Sequence, residues 1–215
     1  MSGGIREGEA LPREAELSRK FAVSRQAVRE ALKVLAAKGL VTSRRRAGTH
    51  VVPRTAWNLL DPDVLAWHRA DTLPPDFVSD LVELRRLIEP AAAEFAASRG
   101  DTRRVAKIGA ALDAMRAAVD DPDRFYAADV EFHLAIFAAS GNALIERLSM
   151  ILGPLLEASF RLQHEVANDA ETVVGIHNAV YDAIVDSDAP RARKAMAELL
   201  ASAREVATRL TAVRA

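Results

Sequence analysis

The chain has 215 residues, half of them apolar, with 27% charged, 5% aromatic and no cysteine. That length allows one or two domains with a sizeable core, while the missing cysteine excludes a disulfide framework, a thiol nucleophile and a cysteine-ligated zinc finger. The net charge of −1 hides an asymmetry: residues 1–54 hold twelve Lys/Arg against five Asp/Glu, net +7, and the other 161 residues net −8. A basic head on an acidic body is the pattern of a polyanion-binding module joined to a second function, although chance clustering on a solvated surface would give the same count.

Residues 1–12 are polar and glycine-rich. A short helix is expected over Glu14–Phe21, with Leu17 and Phe21 on one face. Ala22-Val23-Ser24 reads as a tight turn whose Ser24 caps the next helix, Arg25 to Lys38. Val28, Leu32 and Leu35 form its inner stripe and Gly39 stops it. Leu40 to Val52 reads as two short strands around an Arg-rich tip, a hairpin. Pro53 closes this first domain, residues 1–53. A linker, 54–75, follows; its Asp61-Pro62 starts a short helix, and Leu59, Leu60, Val64, Leu65 and Trp67 make it a packed connector. From Asp76 the apolar period is helical to the end. Six helices are expected, at about 76–98, 105–119, 122–140, 143–163 (bent at Gly153-Pro154), 169–186 and from Ala189 onward. The fold class is mainly α: a winged helix-turn-helix followed by an all-α helical bundle, 76–215. No apolar run reaches membrane-spanning length and no secretory leader is apparent, so a cytoplasmic protein with no membrane partner is expected.

Helix, turn, helix and basic hairpin together suit double-stranded DNA. The second helix must enter the major groove and offer donors near its N-terminus. Arg25, Gln26 and Arg29 stand there, with Lys33 a turn further on, and the i,i+4 spacing puts both arginines on one side. Arginine can pair with the two acceptors of guanine and glutamine with adenine. Ser24 and the helix-start amides suit a phosphate. Arg44, Arg45 and Arg46 at the wing tip, beside Gly48, can reach phosphates or a minor groove. The bland alternative, solvated charges on an amphipathic helix, explains one arginine better than two co-facial ones with a basic wing.

Leu11-Pro12-Arg13-Glu14-Ala15-Glu16-Leu17, Val23-Ser24-Arg25-Gln26-Ala27-Val28-Arg29-Glu30-Ala31-Leu32, Gly39-Leu40-Val41 and Gly48-Thr49-His50-Val51 strongly resemble the head of GntR-family bacterial transcription regulators. The resemblance implies DNA contacts at Arg25 and Arg29. It also implies a helix ahead of the Leu-Pro motif, for which only ten residues are present.

In the body, Asp129 and His133 are four apart, so a carboxylate and an imidazole share one helix face, a pair that suits a divalent metal. His177 lies on the inner stripe with Val173, Val180 and Ile184 and is the candidate third ligand; a hydrogen-bonded core histidine is the plainer reading. Residues 76–211 resemble the FCD effector domain of the FadR-like GntR branch, through Glu83-Leu84-Arg85, Leu87-Ile88-Glu89-Pro90, Asp129 with His133, Gly141-Asn142, His177 and Ala195-Met196. That resemblance implies a metal, commonly zinc or nickel, held by one Asp and three His. Asp129, His133 and His177 match three of them; the fourth position is Leu199. The linker Trp57-Asn58-Leu59-Leu60-Asp61-Pro62-Asp63-Val64-Leu65-Ala66-Trp67 is similar to that of the galactonate-operon repressors, which implies a sugar-acid effector such as galactonate.

Arg85 could pair bidentately with an effector carboxylate, or instead form an ion pair with Glu89 at i+4. Asn142 and Asn178 could hydrogen-bond effector hydroxyls, although Asn142 also fits a helix cap. The reading is thus a homodimeric repressor on a palindromic operator, released or engaged by an aldonate. Another hydroxy- or dicarboxylic acid, a uronate or a fatty-acyl ligand is the alternative effector, the last disfavoured by the metal ligands. A metal-dependent hydrolase is the distant rival, since no general base accompanies the three ligands.

Overall fold

The computed structural model describes residues 5–44, 48–53, 56–58, 61, 63, 64, 67, 75–149, 152, 153, 156 and 170–214. The chain divides into two compact units, Met1–His68 and Arg69–Ala215.

The first unit holds α1 (Glu14–Phe21), α2 (Arg25–Ala37), β1 (Val41–Arg44) and β2 (Gly48–Val51). Arg13 caps α1, and the Glu16 carboxylate accepts the Arg13 amide at 3.2 Å. Ala22 turns the chain in the left-handed region (φ 54°), and the Ser18 hydroxyl donates to the Val23 carbonyl at 2.6 Å. Ser24 then caps α2, its oxygen accepting the Ala27 amide at 3.1 Å. Gly39, at φ 74°, ends that helix as expected. The strands pair antiparallel from Val41 with Val51 to Arg44 with Gly48.

Three features differ from the sequence expectation. Residues 8–11 run along the open edge of β2: the Gly8 amide donates to Val51 O (2.9 Å), the Val51 amide to Glu9 O (3.0 Å) and the Leu11 amide to Thr49 O (2.7 Å). Phe21 does not share a buried face with Leu17; it is 62% exposed. The unit also continues past Pro53, because Val64 (1% exposed) joins Leu40 and Val41 in its core, against Leu11, Leu35 and Trp57. Trp57 secures that stretch by donating its indole N–H to Val52 O at 2.8 Å.

Every regular element among the described residues of the second unit is a helix: α3 (Pro75–Arg99), α4 (Thr102–Arg116), α5 (Pro122–Ala139), α6 (143–149), α7 (Ala170–Val185) and α8 (Ala189–Arg214). Asp101, Asp121 and Asn142 cap α4, α5 and α6 with side-chain oxygens. Residues 152, 153 and 156 are helical too; Pro154 and most of the rest of the expected fourth helix lie outside the described residues.

Small residues bring the long helices close. Ala92, Ala93, Ala96 and Ala97 of α3 and Ala192 of α8 are almost wholly buried, and α3 packs extensively on α8. Ile108, Leu112, Phe132, Ile136, Ile184 and Met196 fill the interior. Arg99 and Arg104 donate to the Ser140 and Ala138 carbonyls, closing the C-terminal end of α5, the helix that carries Asp129 and His133.

Candidate DNA-reading face and metal–effector centre

On α2, Val28 turns inward while Arg25, Gln26, Arg29 and Lys33 are exposed, so the expected reading face is open to solvent. Arg29 is paired: Nη2 lies 2.9 Å from Glu14 Oε2 and Nε 3.3 Å from Oε1, a fork-to-carboxylate pair across α1 and α2. The hydrogen bond from Arg29 chiefly holds the Glu14 carboxyl below its ordinary value, and Arg25 contributes to the same field. Lys33 pairs with Glu30 at 2.9 Å. Gly48 opens β2 at φ 90°, a backbone that favours glycine. Arg44 ends β1; Arg45 and Arg46 lie outside the described residues.

At the other end of α2, Lys38 meets the linker. Its ammonium lies 2.8 and 2.9 Å from the two Asp61 oxygens, 2.7 Å from Asp63 Oδ2, and 5.8 Å from the centre of the Trp67 ring. Hydrogen bonds to Asp61 and Asp63 raise the Lys38 pKa, and the same bond lowers that of Asp61. Asp61 also caps the short helix expected after it, accepting the Asp63 and Val64 amides at 3.0 and 3.3 Å.

In the second unit the expected triad is assembled. One ligand atom each from Asp129, His133 and His177 lies within 4.8 Å of the others, and all three residues are buried. α5 supplies Asp129 and His133 and α7 supplies His177. Phe132, wholly buried, sets its edge against both imidazoles, with ring centres 5.8 Å from His133 and 4.9 Å from His177.

The outer nitrogens of the two rings are engaged. His177 Nδ1 lies 2.8 Å from Val173 O, and an N–H must donate there because the carbonyl only accepts. His133 Nδ1 lies 2.6 Å from Glu89 Oε2. Both Nε2 atoms therefore face Asp129 Oδ1, at 2.9 Å from His177 and 3.3 Å from His133. One outer nitrogen held by a carbonyl and the other beside a carboxylate, with both inner nitrogens converging on a third oxygen, resemble the outer shell of histidine metal sites. The donor set fits a divalent cation such as zinc. Leu199 is a buried hydrocarbon and supplies no fourth ligand.

Arg85 joins this group. It is 1% exposed, its Nε lies 2.5 Å from Glu89 Oε1, and Nη2 reaches His133 Nε2 at 3.3 Å. Of the two sequence readings of Arg85, the ion pair with Glu89 is the one present, and the same side chain borders the triad through His133. Burial pushes the Glu89 carboxyl up, but Arg85 and His133 overcome this and hold it at about 2. Burial likewise opposes ionisation of Asp129, yet the two imidazoles hold its carboxyl well below the usual range. For His133, burial is outweighed by Glu89 and Asp129, which raise its pKa.

The two asparagines are employed elsewhere. Asn142 Oδ1 accepts the Leu144 and Ile145 amides at 3.0 and 3.4 Å, the cap that sequence also allowed. Asn178 accepts from Arg116 and donates to Asp182 at 2.7 Å, on the seam between α4 and α7. Sequence alone does not mark Glu89 and Glu14 as site residues; for Glu89 the local signal is its i+4 spacing from Arg85.

Residues 1–51 match the model of bacterial regulatory proteins of the gntR family, and residues 80–202 match the FCD domain. The chain is 37% identical over 197 residues to the galactonate operon transcriptional repressor of Escherichia coli K12, covering 91% of this chain and 86% of that protein. It is 36% identical to the putative L-lactate dehydrogenase operon regulatory protein of the same strain, covering 88% and 74%. Among solved structures, a Streptococcus agalactiae GntR aligns with a TM-score of 0.55 at 26% identity, covering 94% of this chain and 91% of that one. These relatives are transcriptional regulators and not enzymes, which sets the hydrolase reading aside.

Proposed function

Because the chain belongs to the gntR family of bacterial regulatory proteins and carries an FCD domain, we propose that it is a DNA-binding repressor whose second unit senses an α-hydroxycarboxylate, with an aldonate such as galactonate first among them. The observation that carries this is the buried cluster in which Asp129, His133 and His177 converge beside Arg85. A divalent metal, zinc or nickel, held by those three residues would supply coordination sites for a carboxylate and its neighbouring hydroxyl. Arg85 would bind the carboxylate through its fork, with Glu89 orienting the guanidinium and fixing the His133 ring. The operons named for two relatives concern galactonate and L-lactate, both α-hydroxy acids, which supports the class.

In the head, Arg25 and Arg29 would read guanine, Gln26 adenine, and Ser24, Lys33, Gly48 and the wing arginines Arg44, Arg45 and Arg46 would hold the backbone. A single small head contacts few bases, so the operator would be a palindrome read by a homodimer. An effector can alter operator affinity only if it prefers one arrangement of the two heads.

Thermal-shift measurements with galactonate, lactate, a uronate and a dicarboxylate, each with zinc and with chelator, test the effector class. A zinc-dependent rise for the α-hydroxy acids is expected. Stabilisation that persists in chelator, or that is confined to fatty-acyl ligands, overturns it.

A further inference from the structure

We propose that Lys38 is a positioning residue that latches Asp61, Asp63 and Trp67 of the linker to the C-terminal end of α2, so that these linker residues and the DNA-reading helix move as one body. The inference rests on the reading of α2 as the groove-entering helix. Four observations support it. Lys38 is the C-cap residue of α2, so its backbone is fixed by that helix. Its side chain, 15% exposed, is gripped by two carboxylates and faces an indole, and Asp61 is nearly as enclosed at 19%. Asp61 is itself fixed, because it caps the helical turn at Asp63 and Val64. Val64 and Trp57 anchor the same stretch in the core through Leu40 and Val41 and through Val52 O.

Gly39 closes the fit. A Cβ there would lie 3.3 Å from Ala56 O, with φ at 74°, so the close approach of the linker to the helix end favours glycine. A solvated lysine at a helix C-terminus would need none of this; carbonyl dipoles alone would suffice. Two acids from the linker make the cation a joint instead. Whatever moves Asp61, Asp63 and Trp67 then moves Arg25 and Arg29 with them.

The test uses the full-length protein with Lys38→Gln and Lys38→Arg. Amide hydrogen exchange at Asp63, Val64 and Trp67 should quicken about tenfold in Lys38→Gln and return towards the wild-type rate in Lys38→Arg, with α2 still protected. Unchanged exchange in Lys38→Gln overturns the latch, whatever DNA the protein binds. The positioning role is read on duplexes that the wild-type protein selects from a randomised pool. One base pair inserted between half-sites should weaken wild-type binding at least about tenfold and Lys38→Gln binding less than about threefold, because heads free to pivot tolerate altered spacing. Equal discrimination by both proteins overturns positioning even where exchange has quickened. Failure of the wild type to select any duplex overturns the DNA reading, and the positioning role with it, while the exchange result still decides the latch.

Discussion

Replacing Glu89 by Gln keeps its volume and removes its charge. The Arg85 guanidinium, 1% exposed, then loses the carboxylate 2.5 Å from its Nε, and His133 loses the oxygen 2.6 Å from Nδ1. Breaking a buried pair by neutralising one partner costs about 3–5 kcal/mol. The carboxyl itself gives a similar figure: held at about 2 instead of 4.5, its ionised form is favoured by about 3 kcal/mol. For a chain of this size each kcal/mol lowers the midpoint by about 2–4 °C, so a fall of about 6–20 °C is expected in the helix signal followed by circular dichroism. The double variant Arg85→Met, Glu89→Leu should recover to within about 1–2 kcal/mol of wild type, since hydrocarbon of similar size needs no counter-ion. Because the folded Glu89 pKa is depressed, its contribution is complete above about 4.5 and lost as pH falls towards about 2. The gap between wild type and Glu89→Gln should therefore narrow over that window. A fall of less than about 2 °C at neutral pH, or a double variant as unstable as the single one, would refute the reasoning.

Zinc should raise the melting temperature of the wild-type protein in the absence of any acid and leave His133→Ala unmoved, as followed by thermal shift. Arg29→Ala should reduce discrimination between guanine and other bases at one operator position by about tenfold or more, read by competition with singly substituted duplexes. Gly141→Ala should destabilise the second unit by at least about 1–2 kcal/mol, because φ is 59° there and the new methyl would meet the Arg99 side chain that closes α5. Ser24→Ala should cost the head about 1 kcal/mol by removing the α2 cap, measured by denaturant unfolding.

Much of the fold could be read along the chain because its signals are local. Ser24 announces a helix start, Gly39 announces a stop, and the bounds of α1, α2 and α5 follow closely from caps and apolar spacing. The triad was accessible for a related reason: i,i+4 spacing fixes Asp129 against His133, and the apolar stripe of α7 turns His177 inward. The features with no local signal depend on partners distant in sequence. Residues 8–11 carry no strand pattern of their own; the open edge of β2 orders them. Val64 enters the head core only because the linker folds back over Leu40 and Val41. Glu14 meets Arg29 because two helices cross, and Glu89 meets His133 because α3 lies against α5. Phe21 keeps helical spacing with Leu17 but stays 62% exposed, with the Lys20 ammonium 5.6 Å from its ring centre.

The most direct test measures fluorescence anisotropy of the selected duplex against zinc-loaded wild-type protein and Arg85→Ala, each with and without galactonate. The account predicts that galactonate shifts wild-type affinity at least about tenfold and that Arg85→Ala binds the duplex equally well yet ignores the acid. An unaltered wild-type affinity for every α-hydroxy acid tried, or a full response from Arg85→Ala, would contradict it.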